Sequence, residues 1–129
     1  MALTQEEIYE KVRAVIVGAL GVDEEEVTPT ARLEEDLGAE SIDYLDIGFR
    51  LEKSFGIKIG EKELQIPDSI LNDTTYVLDG KVTDLGMEEL KKKLGFMDLT
   101  GFDKNRNVSD FMKYFTVNDI VSFVKTKLA

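Results

Sequence analysis

Apolar residues recur at spacings of three and four in three segments of this chain, a periodicity that predicts amphipathic α-helices. The first helix should begin after Thr4, because Thr4 and Glu7 have the spacing of a capping box, and it should end at Gly21. The second is expected from about Ser41 to Phe55, and Thr116 should cap the last. The inward faces are expected to be Ile8, Val12, Val15, Ile16 and Ala19, then Ile47, Leu51 and Phe55, and finally Val117, Ile120, Val121, Val124 and Leu128. With a short helical turn before the last helix, these segments predict an all-α, four-helix bundle.

The loop between the first and second helices, about residues 22–40, should be held against the core by isolated apolar residues. Val27, Leu33 and Leu37 are expected to make these contacts. The brief helical turn before the last helix is expected from Asp110 to Phe115. With these connections, residues 1–129 are expected to form a single domain.

A long insertion of about residues 60–107 is expected between the second and third helices. Within it, Asp79-Gly80 between two short apolar runs predicts a tight hairpin. Thr83 or Asp84 should cap an extra helix that ends at Gly95. The insertion is therefore expected to contain a small hairpin and one additional helix.

The net charge of −10 on 129 residues limits the partners that this chain can bind. Such a surface repels nucleic acid and anionic lipid headgroups and attracts basic protein surfaces. No run approaches the roughly 18 apolar residues of a membrane span, and the first residues lack the features of a secretion signal. We therefore expect a cytoplasmic monomer with no nucleic-acid partner and no stable membrane insertion.

The chain contains no cysteine and no histidine. It therefore has no thiolate or imidazole for a zinc site, and no Cys-His or Ser-His pair for nucleophilic catalysis. We expect no metal site and no enzymatic activity of its own. Any thioester that the chain carries must take its sulfur from a prosthetic group.

The most informative stretch runs from Asp36 to Asp43 and consists of Asp-Leu-Gly-Ala-Glu-Ser-Ile-Asp. A serine at the start of a helix is most often only a cap. Here a loop held by apolar residues and Gly38 precede Ser41, and Ile42 and several carboxylates follow it. This pattern resembles the acyl carrier protein family, whose second helix begins with Asp-Leu-Gly, two further residues, Ser, a leucine-like residue and Asp.

The resemblance covers residues 4–59 and about 108–128, and it implies the chemistry of Ser41. In the family, a separate phosphopantetheinyl transferase moves 4′-phosphopantetheine from coenzyme A to this serine, and the arm then carries acyl groups as thioesters. A helix N-terminus suits this attachment because its free amides and its dipole favour phosphate. Glu40 stands where the family usually has Asp, and Ile42 where it usually has Leu, so charge type and apolarity are kept.

Two groups of side chains are expected around the arm. By the resemblance, enzymes that load and accept acyl groups should bring basic patches to Glu40, Ile42, Asp43, Leu45, Asp46, Phe49 and Glu52. From the geometry of a helical bundle, the acyl chain is expected to shelter in a pocket formed by Leu45, Gly48, Phe49, Ile59 and Phe115. A glycine within a helix costs about 1 kcal/mol relative to alanine. We hypothesise that Gly48 makes room for a long acyl chain; the alternatives are a tolerated substitution without a function and close packing against a neighbouring helix.

The resemblance further implies a role in fatty-acid or lipid biosynthesis. The segments from Asp43 to Phe49 and from Phe55 to Ile59 are similar to those of specialised carriers for very-long-chain or hydroxylated acyl groups of lipid A. A carrier of polyketide or other secondary-metabolite intermediates is the alternative within the family.

Two alternatives belong to other classes of protein. Asp103 to Asn107 matches the first ligands of a calcium-binding EF-hand loop, but Val108 stands at the glycine position and Tyr114 at that of the bidentate glutamate. An acidic scaffold that carries no arm is the other alternative, and it needs nothing special of Ser41.

Overall fold

The structure, a computed structural model, describes residues 3–60 and 63–128. The two ends of the predicted domain and residues 61–62 of the predicted insertion lie outside the described residues. In chain order the elements are α1 (Gln5–Leu20), a 3₁₀ turn (Glu24–Glu26), α2 (Ser41–Phe55), α3 (Asp68–Leu71), β1 (Val77–Leu78), β2 (Lys81–Val82), α4 (Asp84–Lys93), α5 (Thr100–Asn105), a 3₁₀ helix (Val108–Tyr114) and α6 (Val117–Leu128). The predicted all-α class is confirmed.

Helix α1 is at the centre of the bundle because it packs against both α2 and α6. The predicted capping box starts it: Glu7 N donates to Thr4 Oγ1 at 3.1 Å, and Thr4 N donates to Glu7 Oε1 at 2.9 Å. The predicted inward faces are largely confirmed, since the side chains Ile8, Val12, Val15, Ile16, Ile47, Leu51, Val117, Ile120, Val121 and Val124 are all buried. Leu128 is instead exposed, and Phe123 takes part in the core.

The loop before α2 is fixed by the contacts predicted for it and by main-chain pairing. Val27, Leu33 and Leu37 are buried, as expected. In addition, Leu33 N donates to Phe115 O and Val117 N donates to Ala31 O, both at 3.0 Å. The loop therefore lies beside the segment that precedes α6, and this arrangement sets the position at which α2 begins.

The insertion contains the predicted hairpin. Val77 pairs with Val82 across β1 and β2. The turn residues Asp79 and Gly80 both have positive φ, at 54° and 77°, as a tight hairpin turn requires. Helix α4 packs closely on this hairpin, because a Cβ at Gly86 would lie only 2.1 Å from Tyr76 O.

Thr83 caps α4 as predicted, since its Oγ1 accepts a hydrogen bond from Gly86 N at 3.1 Å. The predicted end at Gly95 is wrong by one or two residues, because α4 ends at Lys93 and Leu94 caps it. The brief turn expected from Asp110 is a 3₁₀ helix that begins earlier, at Val108.

Helices α3 and α5 were not expected from the sequence. Each is very short, and helices of this length are stable only through tertiary contacts. Ile70 of α3 is buried, and the ring of Phe102 in α5 packs edge-on against Phe111 with centroids 5.1 Å apart. Phe102 and Phe111 belong to different elements, so the helical periodicity within one segment does not reveal this contact.

A buried carboxylate links the insertion to the bundle. Asp119 in the first turn of α6 is 3% exposed. Its Oδ1 accepts from Asp98 N at 3.1 Å, and its Oδ2 accepts from Thr116 N at 3.0 Å. Burial raises the pKa of Asp119 above its usual value, and the two hydrogen bonds oppose that rise.

Candidate functional site

Ser41 is the first residue of α2, but it does not cap the helix. The cap is formed by its neighbours: Glu40 N donates to Asp43 Oδ2 at 2.7 Å, and Asp43 N donates to Glu40 O at 2.9 Å. The Ser41 side chain is exposed, and its hydroxyl has no hydrogen-bond partner among the described residues. The capping role that most often explains a serine here is thus taken by Glu40 and Asp43.

The surroundings of Ser41 fit a phosphate ester. The first amides of α2 lack partners within the helix, and the helix dipole is positive at this end. Both features favour a phosphate group bonded to the exposed Ser41 oxygen. These residues can therefore hold 4′-phosphopantetheine, which supplies the thiol that the chain lacks.

The apolar stripe predicted beside Ser41 faces solvent. Ile42 is 72% exposed, Leu45 48% and Phe49 56%. Side chains of this size are seldom left so exposed in a contiguous row without a partner. This stripe, Ile42, Leu45 and Phe49, is called the apolar stripe below.

The carboxylates predicted around the stripe reach the surface, and three of them also stabilise α2 and its ends. Asp43 binds Glu40 N, as described above. Asp46 Oδ1 accepts from Arg50 Nε at 3.1 Å, and Glu52 Oε2 accepts from Ile59 N at 2.7 Å. Arg50 also lies across α1, because a Cβ at Gly18 would be 2.7 Å from its Nη1.

A cavity of about 340 Å³ opens beside α2 and begins at Ser41. Four of the five residues predicted for the acyl pocket line it, namely Leu45, Gly48, Phe49 and Ile59. The structure does not bring Phe115 to this cavity: Phe115 is fully buried, and its ring packs against Phe96 with centroids 6.4 Å apart. The remaining lining consists of Tyr44, Glu52, Gly60, Leu64, Gln65 and Met112.

Several of these cavity residues are not predictable from the sequence. Leu64 and Gln65 come from the insertion and Met112 from the 3₁₀ helix, and no local pattern brings them to α2. Tyr44 was detectable, because it lies one turn before Gly48 on the same helix face. Its phenol donates to Glu34 Oε2 at 2.9 Å, and burial followed by this hydrogen bond raises its pKa.

Gly48 is not explained by close packing. A Cβ at this position would meet no described atom within 4 Å. The glycine therefore leaves open space in the wall of the cavity. This observation supports the hypothesis that the small size of Gly48 makes room in the cavity.

The segment that resembles the start of an EF-hand has a different conformation. Asp103 to Asn105 lie in α5, and Arg106 follows as its cap. The Arg106 guanidinium binds Asp103 Oδ1 at 2.8 Å and Asp84 Oδ1 at 2.6 Å. No group of three or more potential metal ligands occurs within residues 3–60 and 63–128. Asp103, the one carboxylate of this segment, is thus part of an ion-pair cluster with Arg106 and Asp84.

The fold and the serine at the start of α2 define a helical carrier domain, and comparison with known proteins agrees. The family described as a phosphopantetheine attachment site matches residues 10–72. The chain is 38% identical over 74 residues to an acyl carrier protein of Thermotoga maritima, which covers 57% of this chain and 91% of the relative. It is 36% identical over 77 residues to one of Rubrobacter xylanophilus, covering 60% and 95%.

An acyl carrier protein of Petrotoga mobilis is 41% identical over 63 residues, covering 49% of this chain and 74% of the relative. The chain belongs to the acyl carrier protein family. Its cofactor is covalently bound 4′-phosphopantetheine, and as a carrier it is not an enzyme. In the described part of the chain, every helix is too short or too polar to cross a bilayer.

Proposed function

We propose that Ser41 is the attachment point of 4′-phosphopantetheine and that this chain carries acyl intermediates as thioesters for fatty-acid or lipid biosynthesis. The observation that carries the proposal is the exposed Ser41 hydroxyl at the start of a cavity along α2, which is free because Glu40 and Asp43 form the helix cap. Residues 1–129 act as one domain, a monomer in the cytoplasm.

The attachment requires little of the chain itself. Ser41 Oγ forms a bond to phosphorus, the bond to the nucleotide part of coenzyme A breaks, and a base of the transferase takes the hydroxyl proton. The helix N-terminus then stabilises the negative phosphodiester. Because the transferase supplies the base, the absence of histidine from the sequence is no obstacle.

Partner enzymes dock on the apolar stripe and the carboxylates around it. Ile42, Leu45 and Phe49 offer apolar area, and Glu40 with the neighbouring acidic side chains offers charge to basic patches. The charges speed encounter, and the apolar contacts set the residence time. Asp46 forms an ion pair with Arg50, which partly neutralises its charge. Asp46 therefore contributes less to docking than Glu40.

The acyl chain shelters in the cavity beside α2, and we propose that it is long or hydroxylated. The cavity walls are mainly apolar side chains, including Leu45, Phe49 and Leu64, and Gly48 adds space. The Gln65 amide supplies one polar group at the wall, which suits a hydroxyl on the chain.

Intact-mass measurement tests the proposal. Incubation with a phosphopantetheinyl transferase and coenzyme A should add one arm to the wild type and none to Ser41→Ala. Ser109→Ala is the matched control, because Ser109 is also exposed and should leave modification unchanged. An unmodified wild type, or a Ser41→Ala variant that still gains the arm, would reject the assignment. The mass of protein from its native cells reports the cargo, and a polyketide intermediate there would exclude the fatty-acid role.

A further inference from the structure

A second apolar groove, of about 710 Å³, lies between the insertion and α6. Leu94, Phe96 and Phe123 form its apolar wall, and the rings of Phe96 and Phe123 meet edge-on with centroids 5.0 Å apart. An ion pair between Lys127 Nζ and Glu63 Oε2, 2.6 Å apart, ties α6 to the insertion at its rim. Nothing in the carrier chemistry described above uses this groove.

The groove adjoins the cavity beside α2. Gly60 and Gln65 line both of them. Two consecutive residues of the insertion face different spaces: Leu64 lines the cavity and Glu63 lines the groove. Gly60 and Gln65 therefore belong to a wall that is common to both.

The size of the first cavity sets a limit on what it can shelter. At about 30 Å³ for each carbon, similar to the volume of a water molecule in the liquid, 340 Å³ holds on the order of ten carbons. A longer chain must leave its remaining carbons in water or find further apolar surface. Each additional methylene that is buried favours contact with apolar surface over exposure to water by roughly 0.8 kcal/mol, which is about a fourfold change in the equilibrium constant.

We propose that the groove receives the distal part of a long acyl chain that has filled the cavity beside α2. The chain passes Gly60 and Gln65 and lies against Phe96 and Phe123. The inference rests on the proposed attachment at Ser41, and it names the substrate class as linear acyl groups longer than about ten carbons. It also gives the insertion a function, since residues of the insertion form one side of the groove.

NMR spectra of isotope-labelled phenylalanine rings, recorded on the wild-type protein that carries the arm, test this path of the acyl chain directly. Thioesters of about eight and about eighteen carbons lie on either side of the capacity of the first cavity. With phenylalanine rings labelled, the longer chain should shift the Phe96 and Phe123 signals and the shorter one should not. Intact mass first confirms the arm and the acyl group. A correctly loaded long chain that leaves both rings unchanged overturns this inference and leaves the attachment at Ser41 intact.

A blocking variant supplies an independent test. Thr126 lines the groove and is exposed, so Thr126→Trp should fill the groove without disturbing the core. Lys125→Trp is the matched control, because Lys125 is exposed on the same helical turn and lies outside the groove. The readout is the rate of thioester cleavage by hydroxylamine.

Thr126→Trp should accelerate cleavage of the longer thioester by on the order of tenfold, as expected when one or two methylenes lose their burial. It should leave the shorter thioester unchanged, and Lys125→Trp should leave both unchanged. Equal acceleration of both lengths, or of neither, contradicts the path through the groove. Failure to gain the arm at all would instead count against the proposed function.

Discussion

The phenol of Tyr44 donates a hydrogen bond to Oε2 of Glu34 at 2.9 Å, joining the first turn of α2 to the loop before it. Tyr44→Phe removes this bond and should lower the free energy of unfolding by about 1–2 kcal/mol, measured by urea denaturation. Glu34→Gln keeps an acceptor oxygen and should cost less. Equal stability of Tyr44→Phe and wild type would show that the bond contributes nothing.

The exposed apolar stripe should be needed for recognition. Ile42→Ala removes apolar contact area next to Ser41 and should reduce kcat/KM of the phosphopantetheinyl transferase by roughly tenfold, with stability unchanged. Leu78→Ala is the control, because Leu78 is 55% exposed on the hairpin and belongs to a different surface. Similar effects of both variants would argue against docking at the stripe.

Two glycines should respond in opposite directions to alanine. Gly86→Ala would place a Cβ 2.1 Å from Tyr76 O, a backbone atom, and should destabilise the fold by about 2 kcal/mol or more. Gly48→Ala meets open space on a helix and should raise the free energy of unfolding by about 0.5–1 kcal/mol. Thermal and urea unfolding of the two variants measure both changes in the free energy of unfolding, the decrease for Gly86→Ala and the increase for Gly48→Ala.

Gly48 should also limit acyl length. Gly48→Leu narrows the cavity, so it should reduce the protection of a long-chain thioester against hydroxylamine and spare a short one. The same measurement on Gly48→Ala shows how much of the change comes from helix stability alone. If long and short thioesters respond alike, Gly48 has no role in making room for the chain.

The buried carboxylate of Asp119 should give a distinctive pH dependence. Burial raises the folded-state pKa of Asp119 above its unfolded value of about 3.9. The contribution of Asp119 to the free energy of unfolding is therefore complete at pH values below about 3.9, and it is lost as the pH rises through the folded-state pKa. The free energy of unfolding of wild type relative to Asp119→Asn should therefore fall as pH rises.

Asp98 provides a control in which stability should depend on pH in the opposite direction. Its hydrogen bond to the Thr100 side chain, and then that to Thr100 N, lowers the pKa of Asp98. The stability of wild type relative to Asp98→Asn should therefore be present at neutral pH and be lost as the pH falls below about 4. The same sign for both residues would contradict the environments described for them.

Features with a local cause were predictable from the sequence. Thr4 and Glu7 form their capping box, Asp79-Gly80 forms the hairpin turn, and Thr83 caps α4. In each case the residues that interact are within four positions of one another. The pattern from Asp36 to Asp43 likewise marked the serine, although the cap proved to be formed by Glu40 and Asp43.

Features that depend on distant contacts were not predictable. The lining of the cavity by Leu64, Gln65 and Met112 requires the insertion to fold back on α2. Phe115, in the helical turn predicted before the last helix, was expected in the pocket from bundle geometry, but it is buried and its ring packs against Phe96. Periodicity indicates that such a residue is buried and leaves open which neighbours surround it.

The twofold hydrogen bonding of Asp119 has a consequence for shortened versions of this carrier. Excision of residues 60–107 would delete the Asp98 amide and leave one oxygen of a sequestered carboxylate without its donor. A trimmed descendant, natural or engineered, would therefore need a compensating replacement at position 119. Among related carriers, we therefore expect the residue at position 119 to differ between those that have residues 60–107 and those that lack them.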